Sequence, residues 1–182
     1  TSGVGYFKHD REIGPSCIQP RDVVIVNGDI ARHGMAILAA REELALESPI
    51  ASDCAPLNHS VRALLDAGIE IHAMRDATRG GVASAVIEMA QDAGRDVVLE
   101  EKAVAVREDV RGACELLGID PLYVANEGRF VCFVPAAQAD AALDILRNQL
   151  PDTEPSVIGR VTDGTRGRTA LHSIIGATRP LD

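Results

Sequence analysis

The chain has 182 residues and a net charge of −9, which fits one domain and argues against nucleic acid or an anionic membrane as the main partner. Apolar residues make up 46% but aromatics only 3%, with no tryptophan, so the core must be built from Val, Ile, Leu and Ala. Alternating α and β elements often have such cores. The cysteines Cys17, Cys54, Cys114 and Cys132 are widely spaced, with no Cys-x2-Cys pair, and three of them sit in apolar segments where a thiol behaves as a small hydrophobe. With no signal peptide and no apolar run of membrane length, a reduced, cytoplasmic protein is expected.

In chain order, residues 1–21 show no periodic pattern and read as a lead-in segment. Val23–Val26 is a β-branched run, expected as a buried strand, and Asn27-Gly28-Asp29 turns the chain. His33-Gly34 leads into a helix over Met35–Leu46, where Met35, Leu38, Ala39 and Glu42 follow helical spacing. A loop from Ser48 to Pro56 carries Asp53 and Cys54, with Asp53 read as an ordinary loop or cap carboxylate. A second helix covers Leu57–Asp66 and stops at Gly68. A strand through Ile69 and Ile71 then runs into the polar turn Met74–Gly81, and a helix follows to about Ala93. Asp96–Glu100 is predicted as a strand and Glu108–Leu117 as a helix ended by Gly118. Leu122–Ala125 and Arg129–Val134 are predicted as the arms of a hairpin around Asn126-Glu127-Gly128. The helix Pro135–Leu150, the strand Val157–Val161, a turn at Gly164–Gly167 and a last strand Thr169–Ile175 complete a mixed α/β sheet domain with helices against it.

Three places could do chemistry. Asp76, Thr78 and Arg79 put a carboxylate, a hydroxyl and a guanidinium at one turn, and Gly80 and Gly81 would let an anion approach the following helix start. The spacing is not that of a Walker A loop, and the same residues also fit a plain capping turn. Glu127 stands in a glycine turn at the end of apolar strands, where a carboxylate can be tuned for acid–base work, or can simply be solvated. Asn27 to Gly34 follows a buried strand and precedes a helix, where open α/β sheets tend to place ligands; His33 there is a proton carrier, a ligand or an ordinary cap. No His/Cys set has zinc spacing, and no Gly-x-Ser-x-Gly elbow occurs.

Taken together, these segments resemble the C-terminal domain of the HypE family of hydrogenase maturation proteins. The resemblance covers nearly the whole chain. It rests on Gly28-Asp29 to Ile37, Ser52-Asp53-Cys54-Ala55-Pro56-Leu57-Asn58, Met74-Arg75-Asp76-Ala77-Thr78-Arg79-Gly80-Gly81 and Leu122-Tyr123-Val124-Ala125-Asn126-Glu127-Gly128. That family sits in the superfamily of aminoimidazole ribonucleotide synthase, selenophosphate synthetase and thiamine-phosphate kinase. The resemblance implies an aminoimidazole ribonucleotide synthase C-terminal-like fold with partial ferredoxin-like topology, in an ATP-dependent carbamoyl dehydratase. Such an enzyme converts a carbamoylated C-terminal cysteine to a thiocyanate, and the cyanide becomes a ligand of NiFe-hydrogenase iron. It implies Glu127 as the acid–base residue, with Asp76, Thr78, Arg79, Gly80, Gly81, Asn126, Asn27 and His33 lining a nucleotide or substrate cleft. ATP and Mg2+ are the implied cofactors, the metal ligands lying in an N-terminal half. The implied partners are a second copy, a carbamoyltransferase and an iron-scaffold complex.

On this reading residues 1–21 are a remnant of that half with a linker, residues 22–176 the C-terminal domain, and residues 177–182 a truncated tail. The family ends in Pro-Arg-Ile-Cys, whereas this chain stops at Arg179-Pro180-Leu181-Asp182, so the fragment by itself is expected to be inactive. Two other readings compete: a superfamily relative that makes an acyl-phosphate on a free small molecule, and a non-catalytic dimerisation or docking module.

Overall fold

Side-chain alternation sorts the central strand between two cores. In β1 (Asp22–Val26), Val24 and Val26 enter one apolar cluster while Ile25 enters another on the opposite face. β4 (Phe130–Pro135) does the same: Val131 and Phe133 point one way, and Phe130, Cys132 and Val134 the other. Because both faces of these strands are covered, their sequences are continuous apolar runs.

A computed structural model describes residues 4, 6, 9–41 and 49–182. Around β1 and β4 stand β2 (Ala73–Asp76), β3 (Val97–Glu100), β5 (Ser156–Val161), β6 (Thr169–His172) and β7 (Thr178–Leu181), in the order β2-β4-β1-β5-β3-β6-β7. All neighbours are antiparallel except the β3–β6 pair. The larger cluster joins the sheet to α1 (Arg32–Arg41), α3 (Gly81–Ala93) and α4 (Glu108–Leu117). The second cluster lies under α2 (Asn58–Asp66) and α5 (Ala139–Gln149), through Leu64, Ala142, Leu143 and Leu146. The expected mixed sheet with helices against it is what the chain forms.

Several elements differ from the sequence reading. The hairpin at 126–128 does not exist, for Leu122–Ala125 is not a strand. Residues Pro121–Tyr123 form a 3-10 turn, and β4 pairs with β1 and β2. Leu122 and Val124 are apolar because they pack beneath helix starts, a burial that the β-like pattern cannot distinguish from a sheet. The strand expected at Ile69 and Ile71 begins at Ala73, so Met74–Asp76, read as a turn, are strand residues. Ile69 and Ile71 instead fill the second core. The last strand divides: β6 ends at His172, and Thr178–Leu181, read as a tail, pair with it antiparallel. Residues 42–46 of the first expected helix lie outside the described residues.

One buried polar cluster braces the sheet. His72 is 6% exposed, with Nδ1 at 2.7 Å from Asp22 Oδ2 and Nε2 at 3.2 Å from Glu70 Oε1. Burial alone would lower its pKa, but the two carboxylates outweigh that and raise it. Burial also pushes the Cys114 thiol up to about 11 and Cys132 up to about 12, so both are inert packing groups; Cys17 is half-buried and Cys54 exposed.

Candidate functional site

The segment after α4 threads between two helix starts. Gly34 N–H of α1 donates to Ala125 O at 2.9 Å on one side. On the other, a Cβ at Gly81 of α3 would lie 2.4 Å from Leu122 O, and its φ is +65°, so only glycine fits that crossing. Asn126, fully buried, locks the segment. Its Nδ2 donates to Ala77 O and Val124 O, each at 3.0 Å, while Oδ1 accepts Ala31 N–H at 2.8 Å. Asn27 works alike, donating to Gly128 O at 3.1 Å and accepting Phe130 N–H at 2.8 Å. Both amides are spent on backbone, which is how unpaired loop groups become affordable inside a core.

Asp53 is the anchor that the sequence reading missed. It is 3% exposed; Oδ1 accepts Glu127 N–H at 2.7 Å and Gly128 N–H at 3.1 Å, and Oδ2 accepts His33 N–H at 3.3 Å. The loop and turn pack so closely that a Cβ at Gly128 would sit 1.9 Å from Asp53 O. With its backbone pinned, Glu127 turns its side chain outward, 44% exposed, with Oε1 3.9 Å from His33 Nε2. His33 Nδ1 is 3.0 Å from Ser52 Oγ, which accepts Cys54 N–H at 3.1 Å.

A second group ties Arg129, which the sequence reading did not single out, to Asp29 and Arg32 of the expected 27–34 segment. Arg129, 2% exposed, donates to Asp29 O at 2.6 Å and Asp29 Oδ1 at 2.7 Å, and Arg32 pairs with the other oxygen of Asp29 at 2.6 Å. A signal was available: Arg129 immediately precedes an apolar strand and Asp29 follows the neighbouring one, so opposite charges fall at adjacent sheet ends. A cavity of about 750 Å³ opens beside Asp29, Arg32, Ser52, Asp53, Cys54 and Arg129. Glu127, His33 and the 76–81 turn are not among its lining residues.

The 76–81 turn abuts the Glu127 segment through Ala77, whose N–H donates to Arg129 O at 2.9 Å and whose O accepts Asn126 N–H at 3.1 Å. Asp76 and Arg79 are exposed, and Thr78 Oγ1 donates to Asp76 Oδ1 at 3.0 Å. Gly80, at φ +71°, is the left-handed residue before α3, and it too is structurally demanded: a Cβ there would lie 2.1 Å from Ser84 Oγ. The fold therefore brings all the motif segments to one end of the sheet. Asn27 and Asn126 lie inside it, and Glu127, His33, Asp76 and Arg79 face out. Among the described residues no group of three or more His, Cys, Asp or Glu could hold a metal ion. No helix among them is long and apolar enough to cross a membrane.

Fold and site define an α/β domain that displays a pinned carboxylate turn beside a glycine-started helix. The chain belongs to the AIR synthase related protein family, C-terminal domain, which matches residues 19–172. It is 47% identical over 182 residues to carbamoyl dehydratase HypE of Rhodobacter capsulatus, covering 100% of this chain and 54% of that protein. The chain thus spans about half the length of the curated relatives it matches. A crystal structure of a HypE–HypF complex superposes with TM-score 0.90 at 36% identity, over 96% of this chain and 57% of that one. A HypE structure in complex with ATP gives TM-score 0.85 at 35% identity, over 93% and 52%.

Proposed function

We propose that the chain is the C-terminal part of an ATP-dependent carbamoyl dehydratase of NiFe-hydrogenase maturation, converting a carbamoylated C-terminal cysteine to a thiocyanate that supplies cyanide to iron. The observation that carries this reading is Glu127: an outward carboxylate on a backbone fixed by a buried aspartate, beside the 76–81 turn. Dehydrating a carbamoyl group means removing its oxygen and both N–H protons. ATP supplies the first requirement by making the oxygen a phosphate leaving group. A positioned base supplies the second, and Glu127 takes that role.

Asp76, Thr78, Arg79, Gly80 and Gly81 form the nucleotide side of the cleft. The exposed Arg79 guanidinium beside the start of α3 suits phosphate. Asn126 and Asn27 hold the floor, and His33 stands next to the base. The Mg2+ that accompanies ATP would take its ligands from the N-terminal half, as the family resemblance implies. The remaining assignments are a homodimer, a carbamoyltransferase and an iron-scaffold complex as partners, and the cytoplasm as the compartment.

Intact mass tests the reading. Full-length protein carrying a carbamoylated C-terminal cysteine should lose one water on incubation with Mg-ATP, and Arg79→Ala should raise the ATP concentration required by about tenfold. An unchanged mass would overturn the dehydratase and favour a relative acting on a free small molecule.

A further inference from the structure

We propose that His33 is the proton partner of Glu127, receiving at Nε2 the proton that the carboxylate collects. The proposal rests on the dehydratase reading for the source of that proton. The pairing itself rests on geometry. Asp53 holds both residues by their backbones, one carboxylate oxygen on each N–H, so the start of α1 and the 127–128 turn cannot drift apart without breaking a hydrogen bond to this buried carboxylate. The side chains then face each other, Nε2 to Oε1, at 3.9 Å. This is longer than a hydrogen bond, and such contacts tighten when substrate arrives.

The other ring nitrogen holds the ring in place: Nδ1 lies 3.0 Å from Ser52 Oγ, which also accepts Cys54 N–H. In the tautomer with its proton on Nδ1, Nε2 has a lone pair for a proton from Glu127. Among the described residues, the ionisable groups placed at His33 are Glu127, Asp53 at its own N–H, and the neighbouring Arg32, whose guanidinium is occupied by Asp29. Among them no cation is paired with the Glu127 carboxylate apart from His33 itself.

The proton path balances without any redox step. A substrate N–H bond breaks and its proton joins Glu127. It passes to His33 Nε2, which restores the carboxylate, and leaves from the imidazolium to water, because the His33 side chain is 25% exposed. His33 acts through Glu127; it is a positioning and relay residue.

Two measurements on the full-length protein decide the matter. In NMR spectra of the histidine rings, Glu127→Gln should move the His33 ring signals while those of His59 and His172 hold still. Unmoved His33 signals overturn the pairing. In the dehydration assay, His33→Ala should slow turnover at unaltered thermal stability, and added imidazole should restore it in proportion to azole basicity. A loss that no azole restores, or no loss at all, overturns the relay. If the wild type dehydrates nothing, the functional reading falls, and the ring signals still decide whether the two side chains are in contact.

Discussion

Two aspartates in this fold perform the same local operation in different surroundings. Asp53 gathers the N–H groups of His33, Glu127 and Gly128; Asp96 gathers those of Arg166 and Arg168 at 2.9 and 3.0 Å, closing the turn before β6. Asp96 is half-buried and its turn largely exposed, so water can take over its hydrogen bonds. Asp53 is buried and joins the loop after α1, the start of α1 and the residues before β4, which lie far apart in sequence. The same side chain closes a turn in one place and fixes the relative position of two candidate functional groups in the other. Burial makes the difference, since an unpaired donor costs most where no water reaches it.

That difference can be measured. Asp53→Ala should cost about 3 kcal/mol in a denaturant titration, because three N–H groups lose their acceptor together. Equal costs for Asp53→Ala and Asp96→Ala would break the comparison.

His72→Gln, at the other buried carboxylate contact, should cost about 2 kcal/mol at low pH, in line with a charge-assisted hydrogen bond. The sign follows from the raised pKa: the stabilisation is full below about pH 6.5, the ordinary histidine value, and fades as pH rises through the higher folded-state value. Stability curves of wild type and variant should therefore converge toward alkaline pH. A gap that widened with pH would reverse the assignment. Asp96→Ala should cost least, about 1 kcal/mol, with β6 still paired to β3 by hydrogen exchange.

How much of this could be read from the chain depended on the range of the interaction. The β-branched run at Val23–Val26 became β1, and Gly94 and Gly118 cap α3 and α4 in left-handed conformations, because those signals are local. The false hairpin arose where a local signal was ambiguous: Leu122 and Val124 are buried by helices, not by strand neighbours. Asp53 looked like an ordinary loop carboxylate because its partners lie in other segments, and nothing in Ser52-Asp53-Cys54 encodes them. Gly80 and Gly81 drew attention as room for a ligand, yet the backbone conformation and Ser84 already require the first, and Leu122 and Val124 the second. The motif strings were visible; that Asn126 and Asn27 lie within the core while Glu127 lies at its rim was not.

The most direct test of the account is Glu127→Gln in the full-length protein, read by thermal unfolding and by loss of water from the carbamoylated cysteine. The side chain is 44% exposed and its backbone N–H remains on Asp53, so stability should not change. Turnover should fall by about 10²–10⁴-fold. Full turnover in a normally folded Glu127→Gln protein would contradict the catalytic assignment and leave the domain as a docking module.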